Sequence, residues 1–449
     1  MTYGTCAKSP RLSQCALKQC VGGIGVNAAV ALIDLLTWIA SGYTAKRMRH
    51  TSSSTPFSIK KKATKMHIAT LLQIACLSAA LSACGGNSAS TPAAAPKLIS
   101  QQQLNEKVNN FRVSKGLPAV AVVVIEQDQI ELAVSGKRRI DAADSIGIND
   151  QFQIGSLTKA VTATLIARLV EKKKLRWDSS LSEVFPAWRD LMRPEWKSVT
   201  VQQLLRHRSG LPRDFSETDF LGLQPQLSGN MQLDRATAGL WFLQQPPVFA
   251  ADSQYAYSNL GYMIVGLMAE AVGGDSYENL LAREVLTPLQ MQASFGFPED
   301  AGPGTPAGHV MANGIWQVAQ NTPETQLWLA AVAAAGGLNL SVADYGRFLR
   351  EQLRGLAGKS NFLTQANFNL MHMPVDGYGF GWIIAIAPDL GTVSVHDGSA
   401  GSYFGSAALV PHRNVAVAVL CNCASDPSND LINQFAGSFA TLLTKPTAP

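Results

Sequence analysis

The sequence predicts an α+β fold in which one antiparallel sheet is built from both termini and flanked by helices. Two predicted strands lie close together near residue 120, and strand patterns return only after residue 375. The long stretch between them is mostly helical and contains no visible internal repeat. Strands at both ends with helices between indicate one sheet that buries its apolar surface against helices, with a mostly helical inserted subdomain.

The positive charge of the chain is concentrated in its first 83 residues. These carry ten Lys/Arg and one acidic residue, Asp34, a charge of +9, whereas the whole chain has a formal charge of +5. The rest of the chain therefore carries about −4, and the basic isoelectric point of about 8.8 comes from the leader. We therefore expect no nucleic-acid partner.

An apolar run near the end of this leader has the features of an export signal. Lys60–Lys62 and Lys65 precede the run 68–81, which ends in Leu81-Ser82-Ala83-Cys84. This pattern resembles a bacterial lipoprotein signal peptide, with Cys84 as the lipid-accepting residue. The resemblance implies a lipid anchor in the cell envelope, on the outer membrane facing the periplasm in a Gram-negative cell, because Gly85 follows the cysteine. The alternatives are an ordinary secretory signal or a short membrane anchor.

A second apolar stretch, Val21 to Tyr43, lies further upstream and has Asp34 at its centre. A mid-membrane aspartate costs about 2.5–3.5 kcal/mol, and export signals begin at the chain start. We therefore expect translation to start at Met48 or Met66. The predicted organisation is a leader (1–83), a flexible tether (84–100) and a folded domain (101–445) with an α/β part (about 101–150 and 325–445) and a helical part (about 151–324).

Apolar periodicity and turn residues predict the elements of the folded domain in order. An amphipathic helix comes first, two strands follow, and a helix whose period predicts burial begins at Ser156. Four strands and a last helix are predicted near the C-terminus. The predicted bounds are Gln101–Lys115, Ala119–Glu126, Ile130–Ser135, Tyr378–Ala385, Thr392–His396, Phe404–Val410, Val415–Cys421 and Asp430–Leu443.

Cysteine usage agrees with export. Of seven cysteines, four precede Cys84, and Cys421 and Cys423 are the two that fall in the folded domain. We expect these two to be packed thiols that form no disulfide with each other. We also expect no metal site, because no further Cys or His cluster has the spacing of metal ligands.

Ser156 and Lys159 are a candidate nucleophile and base at the start of the buried helix. Residues three apart share a helix face, and the helix dipole favours an ionised oxygen and a neutral amine in the first turn. A desolvated lysine can then take the serine proton. An N-cap serine beside a solvated lysine is the commoner explanation of this pattern alone, which also occurs at Ser58-Ile59-Lys60-Lys61.

Two further pairs of residues indicate a cleft. Tyr257 and Asn259 precede a predicted helix (Met263 to Val272), where a phenol can shuttle protons and an amide can orient a substrate. His396 and Gly398 end a predicted strand, where the glycine allows a substrate to approach the backbone closely. The alternatives are a packed tyrosine with an asparagine cap, and a polar turn between two strands.

In order, Ser156-x-x-Lys159, Tyr257-x-Asn259 and His396-x-Gly398 resemble the motifs of the serine β-lactamase and penicillin-binding-protein superfamily. The closer likeness is to its class C β-lactamase-like serine hydrolases, which include D-alanyl-D-alanine carboxypeptidases and esterases. It covers nearly all of residues 100–445 and implies a β-lactamase/transpeptidase-like fold. Supporting matches are Val199-Thr200-Val201-Gln202-Gln203-Leu204-Leu205-Arg206-His207-Arg208-Ser209-Gly210-Leu211-Pro212, Gly336-Gly337-Leu338 and Tyr378-Gly379-Phe380-Gly381-Trp382.

The resemblance implies an acyl-transfer cycle that uses no cofactor, on a small-molecule or peptidoglycan-derived ester or amide. Ser156 would attack a carbonyl with Lys159 as base, while Tyr257 relays protons. Asn259 would orient the substrate, and the backbone N–H groups of Ser156 and Ser399 would form the oxyanion hole. The rival hypothesis is a catalytically silent lipoprotein that binds peptidoglycan or a partner.

His396 departs from the family pattern, because class C β-lactamases and many penicillin-binding proteins carry lysine there. A histidine at its reference pKa is about a quarter protonated at pH 7, so it would hold a substrate carboxylate less firmly than lysine does. A histidine at this position resembles the pattern of the family's esterase and peptidase relatives. We therefore expect neutral short-chain esters to be cleaved faster than cephalosporins, with weak β-lactamase activity at most.

Overall fold

The computed structural model describes residues 99–444 except 303 and 389, and these residues belong to one compact unit, Ser90–Pro449. The leader and Cys84 lie outside the described residues, so lipid attachment there stays a prediction. Within the described part of the chain, none of the helices combines the length and the apolar character needed to cross a membrane.

The described residues alternate short strands with helices. The helices are α1 (Gln101–Lys115), α2 (Thr158–Glu171), α3 (Leu181–Val184), α4 (Val201–Leu205), α5 (Glu217–Leu223), α6 (Met231–Gln244), α7 (Asn259–Gly273), α8 (Tyr277–Leu281), α9 (Pro323–Ala331), α10 (Ala333–Gly336), α11 (Val342–Leu356), α12 (Gln365–Met371) and α13 (Asp426–Thr444). The strands are β1 (Ala119–Glu126), β2 (Gln129–Gly136), β3 (Gln151–Gln153), β4 (Ala293–Phe295), β5 (His309–Ala312), β6 (Ile315–Val318), β7 (Leu338–Ser341), β8 (Ile383–Ala387), β9 (Gly391–Ser399), β10 (Phe404–Val410), β11 (Val415–Cys421) and β12 (Cys423–Ala424).

The main sheet has six strands in the order β2-β1-β11-β10-β9-β8, and every neighbouring pair is antiparallel. Pairing of β1 with β11 joins the N-terminal hairpin to the C-terminal strands, with Val122 opposite Val419. This arrangement confirms the predicted α+β fold with one antiparallel sheet built from both ends of the chain.

Both faces of the central strands are covered, which explains their continuous valine and alanine runs. Val120, Val122 and Val124 of β1 pack in the core formed with α1 and α13. Ala121 and Val123 pack on the other face, in the larger core that includes α11 and the helical subdomain. Successive strand residues point to opposite faces, so an unbroken apolar run is what a doubly covered strand requires.

Helix α2 lies at the centre of the larger core. Its side chains are buried from Thr158 to Ala167, and it packs against α7 and α10. The sequence predicts that the helix begins at Ser156, but the chain first makes a 3-10 turn over Gly155–Leu157. This turn leaves Ser156 partly exposed at the N-terminal end of a buried helix.

The prediction that strand patterns are confined to the two ends of the domain is wrong. β3, β7 and β4 form a small antiparallel sheet in the middle of the chain, and β12, β5 and β6 form another in which β12 pairs with β5 in parallel. These strands have two to four residues each, which is too short for a period of two to be recognised.

Two predicted strand boundaries near the C-terminus also change. Residues 378–382 precede β8 instead of forming its start, and Tyr378 makes only isolated bridges, to Val375 and Ile383. Gly381 interrupts the strand because it has a φ of +79° and packs against the backbone of Lys159 and Ala160, where a side chain would collide. In contrast, β9 continues past His396 to Ser399, so that histidine lies within the sheet and not at the end of a strand.

The expectation that Cys421 and Cys423 form no disulfide is wrong, because the structure joins their sulfur atoms. Residues two apart in a regular strand share a face but lie about 6.6 Å apart, near the upper limit for a disulfide. Here the chain bends at Asn422 as it leaves β11 for β12, and the two Cα atoms are 5.1 Å apart. The carbonyl of Asn422 accepts a hydrogen bond from Nδ1 of His309 at 2.7 Å, which stabilises the bend.

Candidate active site

The fold brings Ser156, Lys159 and Tyr257 together around one oxygen atom. The Nζ atom of Lys159 lies 3.0 Å from Oγ of Ser156, and the Tyr257 hydroxyl donates a hydrogen bond to the same Oγ at 2.7 Å. Lys159 comes from the first turn of α2, whereas Tyr257 precedes α7 by two residues. The packing of α2 against α7 therefore assembles the cluster from segments 100 residues apart.

Backbone contact between β9 and the turn before α2 fixes the position of Ser156. Gly155 has a φ of +51°, and a side chain there would collide with the backbone of Ser399. A side chain at Gly398 would collide with the carbonyl of Ile154. Because both positions are glycine, the two segments approach closely, as an oxyanion hole formed by the N–H groups of Ser156 and Ser399 requires.

Lys159 is fully buried, yet it is well supplied with hydrogen-bond acceptors. Besides its 3.0 Å contact with Oγ of Ser156, its Nζ donates to Oδ1 of Asn259 at 2.7 Å and to the carbonyl of Ala335 at 2.8 Å. Burial lowers the pKa of the amine well below its usual value; the nearby charge of Asp214 raises it and that of Arg213 lowers it. A neutral amine beside a serine hydroxyl is the state that a general base needs.

Tyr257 keeps its proton at neutral pH. Burial raises its pKa above that of free tyrosine, and the hydrogen bond to Ser156 opposes this effect. Its ring packs against the ring of His207 at 4.2 Å between centroids, and Nζ of Lys159 lies 4.7 Å from the centre of the tyrosine ring. The phenol is therefore held as a hydrogen-bond donor that faces the candidate nucleophile.

Asn259 uses both polar atoms of its amide within the site. Oδ1 accepts from Lys159, and Nδ2 donates to Oδ1 of Asp214 at 2.8 Å. The residue begins α7, where the Ser258 side chain caps the helix by accepting from the backbone of Gly261. The amide thus orients the lysine in this structure, and contact with a substrate stays a prediction.

His396 is buried in β9 with both ring nitrogens bonded. Nδ1 donates to the carbonyl of Asp397 at 2.6 Å, and Nε2 accepts from the Tyr378 hydroxyl at 3.0 Å. Burial is the main cause that lowers the pKa of His396 to about 4. The expectation of a quarter-protonated ring at pH 7 is therefore wrong, because that value assumed an exposed side chain; the ring is neutral.

Gly398 and Ser399, the remaining predicted binding residues, lie where β9 meets the Ser156 turn. Ser399 is exposed and pairs with Phe404 of β10, while Gly398 is buried. Their placement leaves the Ser399 backbone beside Ser156 and its side chain in solvent. These residues thus lie beside the turn that carries Ser156, and their contact with a substrate stays a prediction.

Three residues that contact the site, His207, Tyr378 and Asp214, were given no role by the sequence analysis. His207 lies beneath Tyr257, and its Nδ1 accepts from the backbone N–H of Ser258 at 3.0 Å. Tyr378 fixes His396, and Asp214 fixes Asn259. The only signal for His207 and Tyr378 was their place in the supporting motifs, since the contacts that involve them join distant parts of the chain.

A serine, a buried lysine and a tyrosine held in this way, between an antiparallel sheet and a helical subdomain, define a serine β-lactamase or penicillin-binding-protein type of site. Comparison with known proteins agrees. The model of the Beta-lactamase family matches residues 103–440, so the chain belongs to the beta-lactamase family, within the serine β-lactamase and penicillin-binding-protein superfamily.

Individual relatives are distant. The chain is 26% identical over 359 residues to penicillin-binding protein 4 of Amycolatopsis lactamdurans, covering 75% of this chain and 89% of that protein. It is 23% identical to protein flp of Staphylococcus aureus (strain N315), and the match covers 73% of this chain and 64% of that protein. Among solved structures, the octameric penicillin-binding protein homologue from Pyrococcus abyssi shares the fold with a TM-score of 0.62 and 24% identity, over 77% of this chain and 78% of that one. SurE shares it with a TM-score of 0.63 and 22% identity, over 78% of each chain.

Proposed function

We propose that the protein is an envelope serine hydrolase that cleaves an ester or an amide through an acyl-enzyme on Ser156. The observation that carries this proposal is the pair of contacts on one oxygen: a desolvated amine at 3.0 Å and a phenol at 2.7 Å from Oγ of Ser156. A structural serine would need neither a buried lysine nor a second proton carrier.

In the acylation step, Oγ of Ser156 attacks the substrate carbonyl and its proton passes to the neutral Lys159 amine. The carbonyl oxygen becomes negatively charged and is stabilised by the backbone N–H groups of Ser156 and Ser399, a kind of donor whose loss typically costs about 10²–10³ in rate. Tyr257 gives its proton to the leaving atom and regains one from Lys159. The bond to the leaving group then breaks, and the acyl group stays on Ser156.

Deacylation reverses the proton path. Water attacks the acyl carbon, its proton passes to the Tyr257–Lys159 pair, and the Ser156 oxygen recovers a proton as the acid product leaves. Asn259 and the Ala335 carbonyl keep the amine in place during both steps, because each accepts a hydrogen bond from Nζ. Over the whole cycle, the leaving group departs with a proton in place of the one taken from Ser156, and a proton of the attacking water restores the serine hydroxyl.

For the substrate class we propose a carboxylesterase or D-amino-acid peptidase type of activity, with weak β-lactamase activity at most. His396 offers no cation at the place where the resemblance would put a lysine, and a carboxylate held rigidly toward that side would lack its partner. Similarity to penicillin-binding protein 4, and to SurE, whose structure has also been solved with D-Leu, supports a peptidase type of substrate. We also propose that Cys84 anchors the protein in the envelope through lipid.

Covalent labelling tests the proposal. Incubation with a slow penicillin or a fluorophosphonate should add the acyl or phosphonyl mass to the peptide that contains Ser156, as measured by tandem mass spectrometry. Ser156→Ala should abolish the adduct, whereas Ser114→Ala, which changes an exposed serine of α1, should keep it. Adduct formation in Ser156→Ala would show that another residue is the nucleophile, whereas no labelling of the wild type by either probe would leave the catalytically silent binding protein as the better explanation.

A further inference from the structure

We propose that the guanidinium of Arg213 binds a carboxylate carried by the leaving group of the substrate. The inference rests on the proposed acyl-enzyme function and names the class of substrate that this site takes. The leaving group would be an amino acid, a hydroxy acid or an aromatic acid, joined to the acyl group by an amide or ester bond.

The backbone fixes Arg213 beside the reacting atoms. Its carbonyl accepts a hydrogen bond from the N–H of Asn259 at 2.8 Å, and the preceding carbonyl, of Pro212, accepts from the Ser258 hydroxyl at 2.6 Å. The chain after Ser209-Gly210-Leu211-Pro212 is therefore tied to the start of α7. The side chain reaches from there over the Tyr257 ring, with its guanidinium carbon 5.0 Å from the ring centre.

The guanidinium of Arg213 is accessible to a ligand. Its side chain is 70% exposed, and the carboxylate nearest to it, that of Asp214, is 3.7 Å away and already accepts a hydrogen bond from Asn259. Arg208 gives the contrast five residues earlier, because its side chain is 11% exposed and paired with both Asp252 and Asp376. Arg208 is a structural arginine, whereas Arg213 keeps its donors available.

The two basic side chains His396 and Lys159 of the site cannot bind a substrate carboxylate. His396 is neutral and buried, and Lys159 is buried with its hydrogen bonds directed at Ser156, Asn259 and Ala335. Arginine stays cationic over the whole working pH range and matches a carboxylate with two parallel donors. Burial is the main cause of the lowered pKa of Lys159, and the charge of Arg213 adds to it, as expected for a cation close to the reaction centre.

The position of Arg213 over Tyr257 indicates which part of the substrate it contacts. Tyr257 delivers a proton to the leaving atom, so that atom lies beside the phenol hydroxyl. A carboxylate a few bonds beyond the leaving atom can turn over the tyrosine ring toward Arg213. The carboxylate of a cephalosporin is fixed on a fused ring and lacks that freedom, so the inference is compatible with weak β-lactamase activity.

Three matched esters test this placement: phenyl butanoate, 3-carboxyphenyl butanoate, and the phenyl monoester of glutaric acid, whose carboxylate lies on the acyl side. The kcat/KM of each is measured at pH 8 for wild type, Arg213→Gln, Arg213→Lys and the control Arg176→Gln, an exposed arginine paired with Asp178 and Glu183. For each ester, the kcat/KM of the variant is divided by that of the wild type, and these ratios are compared between esters. Differences in the intrinsic reactivity of the esters cancel in each ratio.

We expect Arg213→Gln to lower the ratio for 3-carboxyphenyl butanoate about tenfold more than for the two other esters, the lower end of the range for a hydrogen bond to a charged group. Arg213→Lys should restore part of the loss, and 0.5 M salt should reduce the wild-type preference. An equal change for all three esters, or an equal loss for both carboxylates, would overturn the proposal. Labelling of Ser156 in Arg213→Gln separates the proposed acyl-enzyme from the proposed role of Arg213. A variant that is labelled normally and shows the same kcat/KM ratio to wild type for all three esters refutes only the role of Arg213.

Discussion

The helical side and the sheet side of the cleft each place a buried nitrogen base near Ser156, and burial has opposite consequences for the two. Lys159, on α2, begins with a high pKa, and desolvation lowers it well below its usual value, which favours the neutral amine that a base requires. His396, on β9, begins near 6.5, and the same effect lowers its pKa to about 4, where the ring no longer titrates under ordinary conditions. We therefore expect proton transfer on the helical side, where Lys159 lies, and a neutral histidine ring on the sheet side.

Removal of the lysine is the strongest way to break this comparison. Lys159→Met, which keeps the side-chain volume, should lower kcat/KM for phenyl butanoate by about 10³-fold or more, because base and nucleophile act as one unit. The double variant with Ser156→Ala should be no slower than either single variant. The control Lys174→Ala changes an exposed lysine just beyond α2. A Lys159→Met enzyme that kept a tenth of wild-type turnover would show that another group is the base.

A smaller effect is expected from His396, and it concerns stability. The folded-state pKa of about 4 lies below the unfolded value of 6.5. Between these values the unfolded chain binds a proton that the folded protein does not, so the ring's contribution is complete above pH 6.5 and is lost as the pH falls toward 4. The loss amounts to about 3 kcal/mol.

His396→Gln removes this titration while keeping a neutral hydrogen-bonding side chain. Chemical unfolding at pH 7.5 and 4.5 should therefore show a smaller loss of stability in the variant than in the wild type. Buried His207 and His372 remain in both proteins and contribute equally to the two curves. An equal loss of stability in both proteins would mean that the ring of His396 is protonated or exposed in the folded state.

The sequence was sufficient for the parts of the fold that local patterns determine. Valine and alanine runs predicted β1, β10 and β11 with their observed bounds, and the Ser100 capping box marks the start of α1. Turns that depend on tertiary contact were missed. The predicted strand Tyr378–Ala385 begins only at Ile383, because Gly381 approaches the backbone of Ala160, and the disulfide depends on the bend at Asn422.

The same distinction applies to the site. Motif spacing predicted that Ser156, Lys159 and Tyr257 share a cleft, since each motif is local and their order is characteristic of the family. The pKa of His396 is lowered chiefly by burial, which tertiary packing creates, so no reference pKa could predict its protonation state. Arg213 carries no motif of its own, and its position over Tyr257 is visible only in three dimensions.

The charge of the Lys159 amine tests the central claim most directly. Nitrogen-15 NMR of lysine-labelled protein, with the Lys159 resonance assigned by its absence in Lys159→Met, reports whether Nζ is an amine or an ammonium as the pH is varied. We predict a neutral amine at pH 7 that becomes protonated only as the pH is lowered further. An Nζ resonance that remains that of an ammonium ion up to pH 9 would contradict the assignment of Lys159 as the base.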